Sequence, residues 1–175
     1  ISVDGETSTN DSFLAFNSGR KINDKYLPII QEGITYVCQY LAKSIVRDGE
    51  GSNCLVEMIV YGVKNNSDAF KIAKSIINSS LVKTAIHGCD PNWGRIIAAA
   101  GNAGVDFKFS MVDLFIGDFQ ILNKGKLQTY QESKIIQYMQ EKMNGEYLMN
   151  DKIEISLNLN NGNGQAKTWG CDLSK

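Results

Sequence analysis

The sequence has one histidine and two prolines among 175 residues. A metal centre built on several imidazoles is therefore excluded. The four cysteines, Cys38, Cys54, Cys89 and Cys171, are scattered and form no C-x-x-C pair. That spacing argues against zinc and against a dense disulfide framework, so no metal is expected. Cys38, Cys54 and Cys171 read as small core hydrophobes in a reducing cytoplasm. Charge of one sign is also lacking: 18 basic and 19 acidic residues leave a net charge of -1. No basic stripe points to nucleic acid or to an anionic membrane surface. No apolar run is long enough to cross a bilayer. Neither G-x-x-x-x-G-K-[ST] nor a G-x-G-x-x-G after a strand occurs, which removes the usual nucleotide loops. The chain opens on Ile1 rather than Met, which leaves open a targeting segment upstream.

What is present is ordinary for a folded domain: 43% hydrophobic and 21% charged residues, enough for one core and no signature of disorder. Residues 1–175 are expected to form a single domain. From Ile22 to Arg47, the residues Ile30, Ile34, Val37, Cys38, Leu41 and Ile45 recur at helical spacing. Pro28 suits an early turn, and Asp48-Gly49-Glu50-Gly51 ends the segment. CLVEMIVYGV, residues 54–63, has the β-branched content of a buried strand. Asn65 to Asp68 reads as a turn and cap for a helix whose apolar face is Ala69, Phe70, Ala73, Ile76 and Ile77. Residues 81–86 are predicted as another strand. Asp90-Pro91 signals a helix start with Asp90 as cap, and Gly104 can end that helix. FSMVDLFIGDFQIL predicts a strand pair broken at Gly117, with a turn at 123–126. Residues 133–143 carry a short amphipathic helix ended by Gly145. In KIEISLNLN, Ile153, Ile155, Leu157 and Leu159 share one face. NNGNG and QAKTWGCDL then predict a hairpin return. The fold class expected is α/β or α+β, with helices layered on a mixed β-sheet.

Three stretches could carry chemistry. In CDPNWGRIIAAAGNAG, the helix start offers free N–H groups to an anion, and Arg95 could add a bidentate fork. Equally, Asp90 is a cap, Trp93 a core anchor and Arg95 the partner of a structural carboxylate. In RDGEGSN, Glu50 stands between two glycines, where a ligand can approach the backbone and a carboxylate can hold an ammonium; a solvated loop acid is the plainer alternative. The opening ISVDGETSTND is dense in hydroxyls and acids. A hydroxyl nucleophile needs an adjacent base, and His87 is the one imidazole available. Asx and ST turns account for the same composition without chemistry. A start at Ile also suits an activated trypsin-like protease, but no serine stands in the required Gly-rich context, so that reading is rejected.

Taken together, ISVDGETSTND, RDGEG, CDPNWGRIIAAAGNAG and AKTWGCDL fall in order along nearly the whole chain. In this they resemble the ornithine acetyltransferases, or glutamate N-acetyltransferases, the bifunctional acetyltransferases of arginine biosynthesis. The resemblance implies the fold of the self-processing N-terminal-threonine acetyltransferases. It implies a precursor that cuts itself into an α and a β chain, two of each per assembly. The new N-terminal threonine takes an acetyl group from N2-acetylornithine and passes it to glutamate. Some members also accept acetyl-CoA as donor; no other cofactor is implied. The nucleophile is expected upstream of Ile1, since Thr7 and Thr9 are internal and have no free α-amine. The oxyanion donors belong to the α chain. A short tail beyond Lys175 carries further substrate contacts. The chain therefore reads as most of a cytoplasmic β chain, inactive alone, with no catalytic residue of its own. Of the family's substrate-contact residues, Glu50 is the one that falls within it. Asp90, Asn92 and Arg95 match a family motif; they are given no chemical role and are read as structural, capping and packing the helix near the site. Two other readings stay open: a self-processing amidohydrolase or aminopeptidase with water as acceptor, and a non-catalytic module binding an anion at the Asp90 helix.

Overall fold

Strand β1, Leu55–Val63, is the axis of the fold in a computed structural model that describes residues 1–173. It pairs in parallel with β5, Lys152–Asn158, on one edge and antiparallel with β6, Gly164–Cys171, on the other. β2 (Asp113–Ile116), β3 (Phe119–Asn123) and the two-residue β4 (Lys126–Leu127) continue the sheet beyond β5. The order is β4-β3-β2-β5-β1-β6. A six-stranded mixed sheet with helices layered on it agrees with the fold class expected.

Alternation explains which face is dry. Val56, Met58 and Val60 stand opposite Ile153, Ile155 and Leu157 of β5, and all six are buried. Over that face lies α2, Asn66–Asn78, whose buried side is Ala69, Ile72, Ala73, Ile76 and Ile77. Each fully buried isoleucine stabilises the fold by about 1.5–3 kcal/mol. The Asn65 side chain caps α2 by accepting from Asp68 N–H at 2.9 Å, as expected. Phe70, assigned to the apolar face, instead points outward and is half exposed. At Gly170 of β6, an added Cβ would lie 2.5 Å from Ile77 Cγ1, so the close approach of α2 requires glycine there. α5, Glu132–Met143, buries Ile135 and Met139.

Two sequence expectations are corrected. Residues 81–86 are not a strand; Ser80–His87 is the helix α3. Ser79 caps it, accepting from Val82 N–H, and Val82, Lys83, Ala85 and Ile86 turn inward while Leu81 faces solvent. A short apolar run cannot distinguish strand from helix by periodicity alone. Nor do β5 and β6 form a hairpin, because β1 lies between them. Their connection crosses the end of β1, with Leu159 N–H donating to Tyr61 O at 3.0 Å and Asn161 N–H to Gly62 O at 2.7 Å. A strand buried on both sides needs both edges paired, and inserting β1 satisfies that need.

α1, Leu27–Arg47, forms as its spacing predicts, with Pro28 in the first turn. Its apolar stripe is exposed, however: Ile30, Ile34, Val37, Leu41 and Ile45 all face solvent, and Val46 alone is buried. Val46 packs with Leu55 and Cys171, with Val3 and Trp169 against them, on the sheet face opposite α2. Cys54 and Cys171 are buried thiols, as expected, whereas Cys38 is only half-buried on α1. Among the described residues, no helix is long and apolar enough to cross a membrane.

Candidate functional site

The turn that carries Glu50 is held from two sides. It follows α1, where Gly49 N–H donates to Val46 O and Ser52 N–H closes back on Gly49 O at 3.0 Å. Gly51 adopts φ +72°, a conformation that glycine takes without cost. On one side Arg47 donates from Nε to the buried Asp151 at 2.6 Å and from Nη1 to Ser52 O at 2.9 Å. On the other side Asp172 receives Asn53 N–H at 2.7 Å, Asn53 Nδ2 at 2.9 Å and Cys54 N–H at 3.1 Å. Between these anchors Glu50 is exposed. Fixed backbone under an exposed carboxylate suits capture of a cationic group with little ordering cost.

Asp172 is 1% exposed. Burial alone would raise its pKa, but the hydrogen bonds from Asn53, His87 and Cys54 outweigh burial and hold it below the ordinary aspartate value. The same burial, reinforced by the charge of Asp172, pushes the Cys54 thiol up. His87 places Nδ1 2.8 Å from Asp172 Oδ2. The one imidazole thus serves this carboxylate; among the described residues it bonds to none of the hydroxyls of ISVDGETSTND.

Those hydroxyls and acids make local turn bonds. Asp4 accepts from Glu6 N–H at 2.8 Å and Ser8 Oγ from Asn10 N–H at 3.2 Å. Thr7 and Thr9 are exposed. Only Ser2 and Val3 are drawn inward. Ser2 N–H donates to Trp169 O at 2.9 Å, and Ser2 forms a parallel bridge with Gly170. An open cleft of about 840 Å³ lies between this stretch and the end of α1, lined in part by Asp4, Thr7, Asp48, Gly49 and Lys74.

The CDPNWGR stretch sits elsewhere. It leads into α4, Trp93–Gly101, whose cap is Asn92, accepting from Arg95 N–H at 3.2 Å. Asp90 is one step removed from the cap expected of it, receiving the Asn92 amide at 3.0 Å. Trp93 packs on the core as anticipated. Among the described residues Arg95 pairs with no carboxylate; Nη1 donates to Leu81 O at 2.9 Å and lies 3.4 Å from Thr84 Oγ1, tying α4 to α3. A second cleft of about 700 Å³ is lined by Ser75, Ser79, Asn92, Arg95 and Asn102, and Asn78 borders both clefts.

Sequence reasoning missed two residues. Lys83 is 1% exposed and donates to the main-chain oxygens of Ser2 at 3.4 Å, Val3, and Cys171 at 3.2 Å. The second is Asp172, which lies within AKTWGCDL. The available signals were a lysine inside the apolar run LVKTAI and an aspartate directly after a buried strand. Among the described residues, no group of three or more His, Cys, Asp or Glu could hold a metal ion.

The family model described as the ArgJ family matches residues 1–175. The arginine biosynthesis bifunctional protein ArgJ of Prochlorococcus marinus subsp. pastoris is 66% identical over 175 residues, all of this chain and 44% of that protein. The protein of the same name from Dehalococcoides mccartyi is 47% identical over 180 residues, covering 99% of this chain and 42% of its own length. The crystal structure of arginine biosynthesis bifunctional protein argJ from Bacillus halodurans superposes with a TM-score of 0.89 at 37% identity, covering 99% of this chain and 80% of that one. The chain thus spans about two-fifths of the length of the curated relatives it matches, but four-fifths of the solved chain.

Proposed function

The chain belongs to the ArgJ family, and from that premise we propose that it forms most of the β chain of an acetyltransferase that moves an acetyl group from N2-acetylornithine to glutamate in arginine biosynthesis. The observation that carries this reading is the family match over all 175 residues, with 66% identity to a bifunctional ArgJ protein. The curated relatives are far longer than the solved chain that this sequence largely covers; that difference supports a precursor divided into α and β chains. The bare apolar stripe of α1, and Phe13, Leu14 and Phe16 at 76%, 73% and 91% exposure, support packing against the α chain within a cytoplasmic α2β2 assembly.

The nucleophile in this reading is a threonine outside these 175 residues, freed as a new N-terminus by self-cleavage. Its α-amine, with a pKa near ~8, accepts the hydroxyl proton. The hydroxyl oxygen attacks the acetyl carbonyl of N2-acetylornithine. The C–N bond breaks, ornithine leaves with the proton, and the threonine is left as an acetyl ester. The amine of glutamate then attacks that ester to give N-acetylglutamate and restore the hydroxyl. Oxyanion donors from the α chain stabilise the tetrahedral intermediates, each worth about 3–4 kcal/mol. Glu50 holds a cationic amino group of the substrate. This reading admits acetyl-CoA as a second donor and calls for no other cofactor.

The test is the complete precursor, expressed and self-cleaved, given N2-acetylornithine with and without glutamate. Ornithine and N-acetylglutamate in equal amounts are expected. Acetate released at the same rate whether or not glutamate is present would instead establish a hydrolase.

A further inference from the structure

The most unusual side chain outside the substrate turn is Lys83. It is 1% exposed, and among the described residues it makes no ion pair. An ammonium withdrawn from water without a counter-ion is costly. Here its three protons meet three main-chain oxygens, those of Ser2, Val3 and Cys171. They come from two ends of the sequence and are joined on α3. A lysine that only filled space would be replaced by leucine or methionine without that cost.

What this junction fixes is Val3. The carbonyl of Val3 is bound by Lys83, and its side chain lies against the backbone of Gly49: a Cβ added at Gly49 would sit 2.8 Å from Val3 Cγ1 and 3.6 Å from Cys171 Sγ. Gly49 is the residue before Glu50. Two residues beyond Gly51, Asn53 is bound by Asp172, the neighbour of Cys171. Both ends of the turn therefore rest on elements that Lys83 holds together.

We propose that Lys83 is a positioning residue for Glu50, setting the height of the substrate-binding turn through Val3 and Gly49. The proposal rests on the acetyltransferase reading above. Lys83 touches no substrate; it acts through the backbone it fixes. Loss of the ammonium removes the bond to Val3 O while Ser2 stays bridged to Gly170; Val3 can then withdraw from Gly49, which moves Glu50 off its partner.

The test is a double-mutant cycle on kcat/KM for N2-acetylornithine in the complete, self-cleaved enzyme. Lys83→Met alone is expected to lower kcat/KM by about 10-fold, mainly through KM. In a Glu50→Ala background the same change is expected to cost less than about 2-fold, because residues that act as one unit are not additive. Where Lys83→Met fails to fold, Val3→Ala probes the same path with a milder change, and the same loss of additivity is expected. Equal fold-losses in the presence and absence of Glu50 would overturn the proposal, since a merely structural defect lowers both backgrounds alike. An inactive wild-type enzyme would sink the acetyltransferase reading itself, and this inference with it; an active wild type with additive losses would sink the inference alone.

Discussion

The Oδ2 oxygen of Asp172 lies 2.8 Å from Nδ1 of His87, which joins the residue after β6 to the last residue of α3. The carboxylate is buried and the ring is partly exposed, so the two ends of this pair carry different weight. Asn53 and Cys54 also donate to Asp172. Losing His87 leaves those donors in place; losing Asp172 leaves several groups without an acceptor.

Asp172→Asn is accordingly expected to destabilise the protein by about 3 kcal/mol, and His87→Ala by less than about 1 kcal/mol. Urea titration of the two variants checks the ranking. Comparable losses would show that the histidine, not the Asn53 bonds, dominates the pair.

The lowered pKa of Asp172 sets the sign of a pH dependence. A carboxylate whose folded pKa lies below its unfolded value stabilises the fold fully above the unfolded value of about 3.9. That contribution is lost as pH falls through the lower folded value. Wild-type stability should therefore drop below pH ~4 more steeply than that of Asp172→Asn, which has no such proton to take up. Parallel acid profiles would contradict this.

Glu50 stands on an exposed turn with no packing role, so Glu50→Ala should leave thermal stability within a degree or two, since surface changes rarely exceed about 0.5 kcal/mol. Removal of a charge-assisted bond to a substrate cation should lower kcat/KM about 10- to 150-fold. Steady-state kinetics of the complete enzyme read this directly, and unchanged kinetics would remove Glu50 from the site.

Gly170→Ala should destabilise the fold by about 1–3 kcal/mol through overpacking, because the new Cβ meets Ile77 Cγ1 at 2.5 Å and Ser2 O at 3.1 Å. Combining it with Ile77→Ala should cost less than the two losses added together. Chemical denaturation of the four proteins measures the coupling.

Several local signals in the sequence are followed by the structure, though the cap of α4 is Asn92 rather than Asp90 and Phe70 leaves the buried face of α2. The Asn65 cap, the β-branched run of β1 and the alternation of β5 each depend on a few neighbouring residues, and each forms where the pattern places it. The two errors in element type and pairing arise where the apolar pattern of a segment does not decide by itself. Residues 81–86 become helix because Ser79 caps them and α4 reaches across with Arg95. β6 leaves β5 because β1, far earlier in the chain, takes the place between them. The RDGEG turn was legible from its glycines, but its supports were not. Lysine and aspartate are surface residues by type, and nothing local announces that Lys83 and Asp172 are enclosed.

The placing of β1 between β5 and β6 also dictates when the molecule can fold. Its two partners are made roughly a hundred residues later, and pairings so remote in sequence are slow to close. During synthesis β1 emerges with both edges open and waits for the last strands, while α2, α3 and α4 have no finished sheet to rest on. An incomplete chain ending before Lys152 would expose the largely buried strand β1 on both edges, and such a product is expected to aggregate.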